Sequence, residues 1–231
     1  MFWRSLDWRA PWLAPYAEVA RPVIERLESG AGTAVALGHP RFVAQRELPD
    51  GEAYEGFIGR TGRVPTRDNL HDLLNGLVWL RFPVLKQRLN ELHAAQLAAE
   101  GVRPQRGPLR DALTLFDENG AWWQAPPLLA DALRRRDWHA LFVTHRAMWL
   151  EVRPVLVGHA LLEKLAAPRT AITAHVWMAG EAPEQPGSIT AKAWALKPFH
   201  PLPVLGVPGW WPANEDAAFY DDASVFRPPR G

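Results

Sequence analysis

Apolar side chains recur at helical spacing in several stretches of the chain, and proline or glycine ends most of these stretches. The clearest stripe lies in DNLHDLLNGLVWL, from residue 68, and Phe82-Pro83 interrupts it because proline cannot donate a hydrogen bond to the preceding turn. A second amphipathic helix is predicted from about Val84 to Glu100. Shorter helices are predicted over residues 16–28, over 127–135 and within VGHALLEKLAAP, which begins at Val157.

Strand signals are fewer and shorter. TAITAHVWMA, from Thr170, is rich in β-branched and aromatic residues and predicts a strand. In DALTLFDENGAWWQA, apolar residues alternate on both sides of Asn119-Gly120, a pair that tolerates positive φ, so an antiparallel hairpin is predicted there. Turn residues between 41 and 62 predict a second, loose hairpin.

Length and composition predict one compact domain over residues 1–231. Hydrophobic residues make up 48% of the chain and charged residues 22%, which is ordinary for a globular protein. Residues 1–15 mix tryptophan with proline and predict an extended N-terminal arm, while the proline- and aromatic-rich residues 197–231 predict a long irregular C-terminal strap. The expected fold class is α+β, mainly helical, with a small antiparallel sheet or hairpin.

Charge and cysteine content exclude several classes of function. The formal net charge is +1, so no global field favours nucleic acid or an anionic membrane. The chain has no cysteine, which excludes disulfides, thiol nucleophiles and zinc-thiolate sites and fits a reducing compartment. Because it also lacks a signal-peptide pattern and any run of roughly 20 apolar residues, we expect a cytoplasmic protein without a membrane partner.

Two histidine-containing clusters are the strongest candidates for a site. In PTRDNLHDLLN, helical spacing places His71 one turn from Asn75, and Asp68 one turn from Asp72. These groups suit a metal ligand pair or a base held by its neighbour. The alternative is structural, with Asp68 or Thr66 capping the helix and His71 bonding locally.

The second cluster is GHALLEKL, where His159 and Glu163 are one turn apart in an otherwise apolar segment. A histidine and a carboxylate at this spacing can share a divalent ion, or the glutamate can orient the histidine. An ordinary surface ion pair has the same spacing, and both interpretations stay open.

A third cluster surrounds RGPLRDALTLFDENG. Arg110 and Asp111, at the predicted strand entrance, are candidates for binding a phosphate or carboxylate. Asp117 and Glu118 lie beside Asn119-Gly120 and are interpreted as turn residues. No phosphate-binding glycine loop, dinucleotide fingerprint, HExxH pair or nucleophile-elbow serine is present in the sequence.

Four segments together resemble a proteobacterial family known only as a domain of unknown function. They are VPTRDNLHDLLNGLVWLRFPVLKQRLN, RGPLRDALTLFDENG, VGHALLEKLAAP and PLPVLGVPGWWPANEDAAFYDDASVFR, and the resemblance extends from about Trp12 to Arg227. It implies a single full-length domain and a bacterial intracellular origin. It supplies no catalytic residues.

The leading hypothesis is a metal-assisted hydrolase or acid–base enzyme that acts on a small anionic substrate. Its catalytic and metal-binding candidates are His71, Asp72, His159 and Glu163, with a divalent metal ion as the cofactor that the clusters allow. Its substrate-binding candidates are Asn75, Arg110 and Asp111.

Two other hypotheses remain open. A nucleotide or nucleic-acid binding module would use Arg103, Arg106, Arg110 and residues 134–136 on one surface. A structural or partner-binding protein would expose its aromatic tail as an apolar patch.

Overall fold

The computed structural model describes residues 1–38, 41–101 and 107–228 and confirms a mainly helical α+β fold. The predicted long helices form, and Pro83 separates two of them as expected. The helices are α1 (Ala17–Glu28), α2 (Thr33–Leu37), α3 (Tyr54–Thr61), α4 (Leu70–Arg81), α5 (Pro83–Glu100), α6 (Pro108–Asn119), α7 (Pro127–Arg135), α8 (His159–Lys164) and α9 (Ala191–Trp194). Within the described ranges, no helix has both the length and the apolarity to span a membrane.

The loose hairpin predicted between residues 41 and 62 is wrong. Strand β1 (Phe42–Ala44) instead pairs in parallel with β2 (Val64–Thr66), with Phe42 opposite Val64. Parallel neighbours need a crossover, and helix α3 supplies it between the two strands. Gly62 ends α3 in the left-handed conformation at φ 68°, which allows the chain to turn directly into β2.

The larger sheet is mixed rather than antiparallel. It contains β3 (Gly120–Trp123), β4 (Val155–Leu156), β5 (Thr173–Met178) and β6 (His200–Pro203), in the order β4-β3-β5-β6. The two outer pairs are antiparallel, whereas the central pair β3 and β5 is parallel, with Ala121 opposite Val176. The strand predicted within TAITAHVWMA is confirmed as β5.

The hairpin predicted around Asn119-Gly120 is also wrong, because the residues before it are helical. The buried apolar residues of α6 recur at helical spacing, at Leu109, Ala112, Leu113 and Phe116. Gly120 has a φ of −78° and begins β3, so it makes no hairpin turn. Glycine is still required there, since an added Cβ would lie 2.3 Å from the Phe116 carbonyl oxygen.

The N-terminal arm and the described part of the C-terminal strap pack on the body. The N-terminal arm forms 3-10 turns at Phe2–Ser5 and Pro11–Tyr16 rather than an extended segment, and its Trp3 and Trp12 are buried in the core. The C-terminal strap contributes β6 and then forms short 3-10 turns up to Asp221. Trp210, Tyr220 and Phe226 of the strap are buried in the same core cluster.

Candidate functional site

Helix α4 begins with a side-chain cap that fixes the position of its first turn. Asn69, and neither Asp68 nor Thr66, caps the helix by accepting a hydrogen bond from the Asp72 backbone N–H at 2.7 Å. Asp68 instead accepts from the Thr33 backbone N–H at the start of α2. With the first turn fixed in this way, His71 points across to α8.

Helix α8 begins against the end of α6. The backbone N–H groups of Val157 and Gly158 both donate to the Gly120 carbonyl oxygen, at 3.0 and 2.9 Å. Gly158 packs so closely that an added Cβ would lie 2.5–2.6 Å from backbone atoms of Asn119 and Gly120. The first residue of α8, His159, is therefore held beside the last turn of α6.

The two histidine clusters meet in space. His71 Nε2 and His159 Nε2 are 3.0 Å apart, and the ring planes are inclined at 78°. Glu163 Oε2 lies 2.8 Å from His71 Nδ1, so this carboxylate orients the histidine of the other helix rather than its own neighbour His159. The structure thus brings together three of the four residues expected to share the site.

The carboxylate of the fourth residue, Asp72, binds Arg67 instead of a histidine. Its two carboxylate oxygens accept hydrogen bonds from the Arg67 backbone N–H and guanidinium, at 2.7 to 3.1 Å. Asp72 lines the same cavity, but its oxygens already serve the ion pair with Arg67.

Two carboxylates interpreted from the sequence as turn residues lie in the site instead. Glu118 Oε2 is 3.5 Å from His159 Nε2, and Asp117 Oδ2 is 3.7 Å from His159 Nδ1. Because α6 is a helix to its last residue, both side chains project from its final turn toward α8. Asp117 and Glu118 are distant along the chain from both His71 and His159. Only the helical period of α6 could therefore have indicated from the sequence that they lie in the site.

One ligand atom from each of His71, His159 and Glu118 lies within 4.8 Å of the others. Two donors bound about 2.1 Å from an ion, at angles of about 90° to 110°, would be about 3.0 to 3.4 Å apart. The separation of the two Nε2 atoms fits this range. The donor set therefore fits a divalent ion, with Glu163 as the outer partner of His71.

Burial sets the charges of these groups. It lowers the pKa of His159 to about 4, which keeps the ring neutral and able to bind a cation at neutral pH. Burial and the neighbouring Asp117 raise the pKa of Glu118. Burial acts in the same direction on Asp117, but the charge and the hydrogen bond of Lys86 outweigh it and hold its pKa below the usual value.

A cavity of about 320 Å³ adjoins the histidines, and we call it the polar cavity. One wall is a buried polar row on α5, formed by Lys86, Asn90 and His93 at helical spacing. The sequence analysis predicts α5 from its leucines alone. The helical spacing of this polar row beside the leucines is the sequence signal that could have indicated a site. The volume is at the lower end of small-molecule sites, which are roughly 300–1,000 Å³.

A chain of polar contacts crosses the cavity wall. Lys86 Nζ contacts Asp117 Oδ1 at 2.5 Å and Asn75 Oδ1 at 2.8 Å. The Asn75 amide in turn donates to the Tyr54 hydroxyl at 3.0 Å. Asn75, a sequence candidate for substrate binding, therefore positions Lys86 and Tyr54.

The remaining substrate-binding candidates lie away from this cavity. Arg110 is buried in α6 and is not part of the cavity lining, and Asp111 pairs with Lys197. Because Arg110 is buried, it also contributes little to the arginine surface of the nucleic-acid hypothesis. Arg103 and Arg106 of that hypothesis lie outside the described residues.

The family model described as "Protein of unknown function (DUF3025)" matches residues 40–230 of the chain. Neither the curated proteins nor the solved structures contain a match.

Proposed function

The chain belongs to the DUF3025 family, and from the geometry of its polar cavity we propose that it is a metal-dependent hydrolase of a small molecule. The observation that carries the proposal is the meeting of His71 Nε2, His159 Nε2 and Glu118 Oε2 beside that cavity. Two histidines and one carboxylate are a ligand set of catalytic zinc sites, in which water completes the coordination.

The surroundings of these three residues support a catalytic rather than a purely structural ion. Three protein ligands leave room for water, since a structural zinc site has four. Side chains of His71 and Glu118 are 31% and 34% exposed, so water and substrate can reach the ion. A bound divalent ion would lower the pKa of its water and supply a hydroxide nucleophile near neutral pH.

The residues of the chain have distinct roles in this proposal. Glu163 holds the His71 ring by accepting from Nδ1, so that Nε2 presents its lone pair to the ion. Asp117 faces the Nδ1 side of His159 and is itself neutralised by Lys86. Both histidines therefore have a carboxylate on the Nδ1 side, and their Nε2 atoms, 3.0 Å apart, face each other where the ion would bind.

The experiment is metal analysis joined to an activity screen. Protein stripped with a chelator is reloaded with zinc, and metal content is measured with hydrolysis of a panel of small esters, amides and phosphates. We expect about one ion per chain and an activity that is lost on chelation. His159→Ala should lose both, whereas His139→Ala, at an exposed histidine outside the cavity, should keep both.

Two results would contradict the proposal. One is wild-type protein that takes up no stoichiometric metal. The other is iron as the ion that is retained on purification, because two histidines and a carboxylate with open positions also suit iron-dependent oxygen chemistry.

The structural or partner-binding hypothesis finds less support. It needs the aromatic tail to form an exposed apolar patch. Trp210, Tyr220 and Phe226 are instead buried in the core.

A further inference from the structure

The charges around the polar cavity restrict the group that can react there. Four carboxylates line it, and two of them are neutralised in ion pairs, Asp72 by Arg67 and Asp117 by Lys86. Glu55 and Glu118 remain without a cationic partner among the described residues. A divalent ion at the proposed site would offset these two charges and no more.

An ionised phosphate or carboxylate would therefore enter a cavity that has no uncompensated positive charge left for it. Burying such an anion without a partner is unfavourable, because the cavity does not replace the water that solvates its charge. Arg110, the cation expected from the sequence to hold an anion, does not line the cavity. The charge balance favours a reacting group that is uncharged when it binds.

Two hydrogen-bond donors on the cavity wall are available to such a group. Lys86 has three N–H donors, and the described residues accept two of them, through Asn75 Oδ1 and Asp117 Oδ1. Tyr54 uses its hydroxyl oxygen to accept from Asn75, and no described residue accepts its proton. One Asn75 side chain thus holds both donors in place.

Tyr54 is suited to donate without becoming charged. Burial and the nearby carboxylates of Asp117 and Asp72 raise its pKa, so the hydroxyl keeps its proton at any physiological pH. Lys86 is buried and also lies 5.5 Å from the centre of the Trp79 ring, which helps to hold its cation in the wall.

We propose that Lys86 and Tyr54 bind the carbonyl oxygen of an uncharged amide or ester substrate and stabilise the oxyanion that forms on it. This inference rests on the proposed hydrolase function and names its substrate class. The donors are fixed before the reaction, as electrostatic stabilisation of a transition state requires.

The reaction balances with water as the only co-reactant. A bond forms between the water oxygen and the carbonyl carbon, and the C=O π electrons move onto the oxygen, where Lys86 and Tyr54 donate to the negative charge. When the C=O bond re-forms, the bond from carbon to the leaving amine or alcohol breaks. The leaving group takes a proton that water has released, so that a carboxylic acid and an amine or alcohol result.

The test is a binding measurement on metal-loaded protein. N-methylacetamide, a small uncharged amide that does not chelate zinc, and inorganic phosphate are titrated calorimetrically into wild type and variants whose zinc content has been measured beforehand. We expect N-methylacetamide to bind more tightly than phosphate. Tyr54→Phe should weaken N-methylacetamide binding about 10-fold, the scale of one lost hydrogen bond.

The matched control is Tyr220→Phe, which removes another buried tyrosine hydroxyl outside the polar cavity and should leave N-methylacetamide binding unchanged. Lys86→Met tests the second donor and should weaken binding at least as much. Because that change leaves Asp117 without its partner, its folding is checked by thermal unfolding.

The inference is overturned if phosphate binds more tightly than N-methylacetamide, if metal-loaded wild type does not bind N-methylacetamide, or if Tyr54→Phe binds it like wild type. Each of these results leaves the metal site itself in place. Failure to load metal is a separate result, which overturns the proposed function and this inference with it.

Discussion

Asp72, Glu118 and Glu163 are carboxylates close to the same two histidines, and they differ in what their oxygens already contact. The carboxylate of Asp72 accepts hydrogen bonds from Arg67, and that of Glu163 contacts His71 Nδ1. The carboxylate of Glu118 faces the Nε2 atoms of the two histidines. The sequence selects Asp72 and Glu163 because they lie near His71 and His159 along the chain. Contacts between helices distant in sequence decide the actual roles, and residue spacing alone cannot reveal them.

Amide substitutions should therefore separate the three roles. Glu118→Gln removes a ligand and should weaken zinc most, while Glu163→Gln should weaken it about 10- to 100-fold, as expected for an outer partner of a metal-binding histidine. Asp72→Asn should leave zinc affinity unchanged but lower stability by about 1 to 3 kcal/mol, because the Arg67 contacts are weakened. Competitive zinc titration and urea unfolding measure the two effects. Equal loss of zinc in all three variants would contradict these assignments.

At the scale of elements, the junction between α6 and α8 determines whether the site exists. The sequence predicts α4, α5 and α8 correctly, since each has an apolar stripe and a proline or glycine boundary. It predicts a strand in the segment that forms α6. The short apolar pattern before Asn119-Gly120 fits both the period of a strand and the period of a helix. The error removed Asp117 and Glu118 from the candidate site.

Gly158→Ala should damage this junction. The added methyl group would overlap the backbone of Asn119 and Gly120, so α8 must move and carry His159 away from Glu118. We expect a loss of about 1 to 3 kcal/mol in stability, the range for overpacking, and at least about 10-fold weaker zinc binding.

The matched control is Gly180→Ala, where an added Cβ meets no atom within 4 Å. It should change neither stability nor zinc binding appreciably. Thermal unfolding and zinc titration of both variants make the comparison. Wild-type zinc affinity in Gly158→Ala would show that the close approach of the two helices is not needed.

At the scale of the whole molecule, buried and half-buried histidines couple stability to pH. Burial lowers the pKa of His93, His159, His175 and His200. In the unfolded chain these groups titrate near 6.5, so the unfolded state binds more protons than the folded state just below that pH. Their contribution to stability is present above pH 6.5 and is lost as the pH falls below it.

The urea midpoint of chelator-treated protein should therefore be lower at pH 6.0 than at pH 7.5. His175→Gln should reduce the difference, because it removes one of the histidines whose pKa burial lowers. None of the hydrogen bonds among the described residues joins His175 to His71, His159 or Glu118. A midpoint that is equal or higher at pH 6.0 would contradict the prediction. The comparison stays above the pH range in which the carboxylates titrate.

Fold class and the meeting of the two histidine clusters could be anticipated from the sequence to different degrees. The mainly helical α+β class follows from apolar periodicity, which is a local property. The parallel pairing of β3 with β5 and the polar row of α5 depend on tertiary contacts between distant segments. Sequence periodicity carries no information about those contacts.

The most direct measurement is a crystal structure of the zinc-loaded protein with anomalous data at the zinc edge. We predict one strong peak about 2.0 to 2.2 Å from His71 Nε2, His159 Nε2 and a Glu118 carboxylate oxygen, beside the polar cavity. Absence of a peak there, or a peak held by Asp72 or by residues outside the cavity, would contradict it.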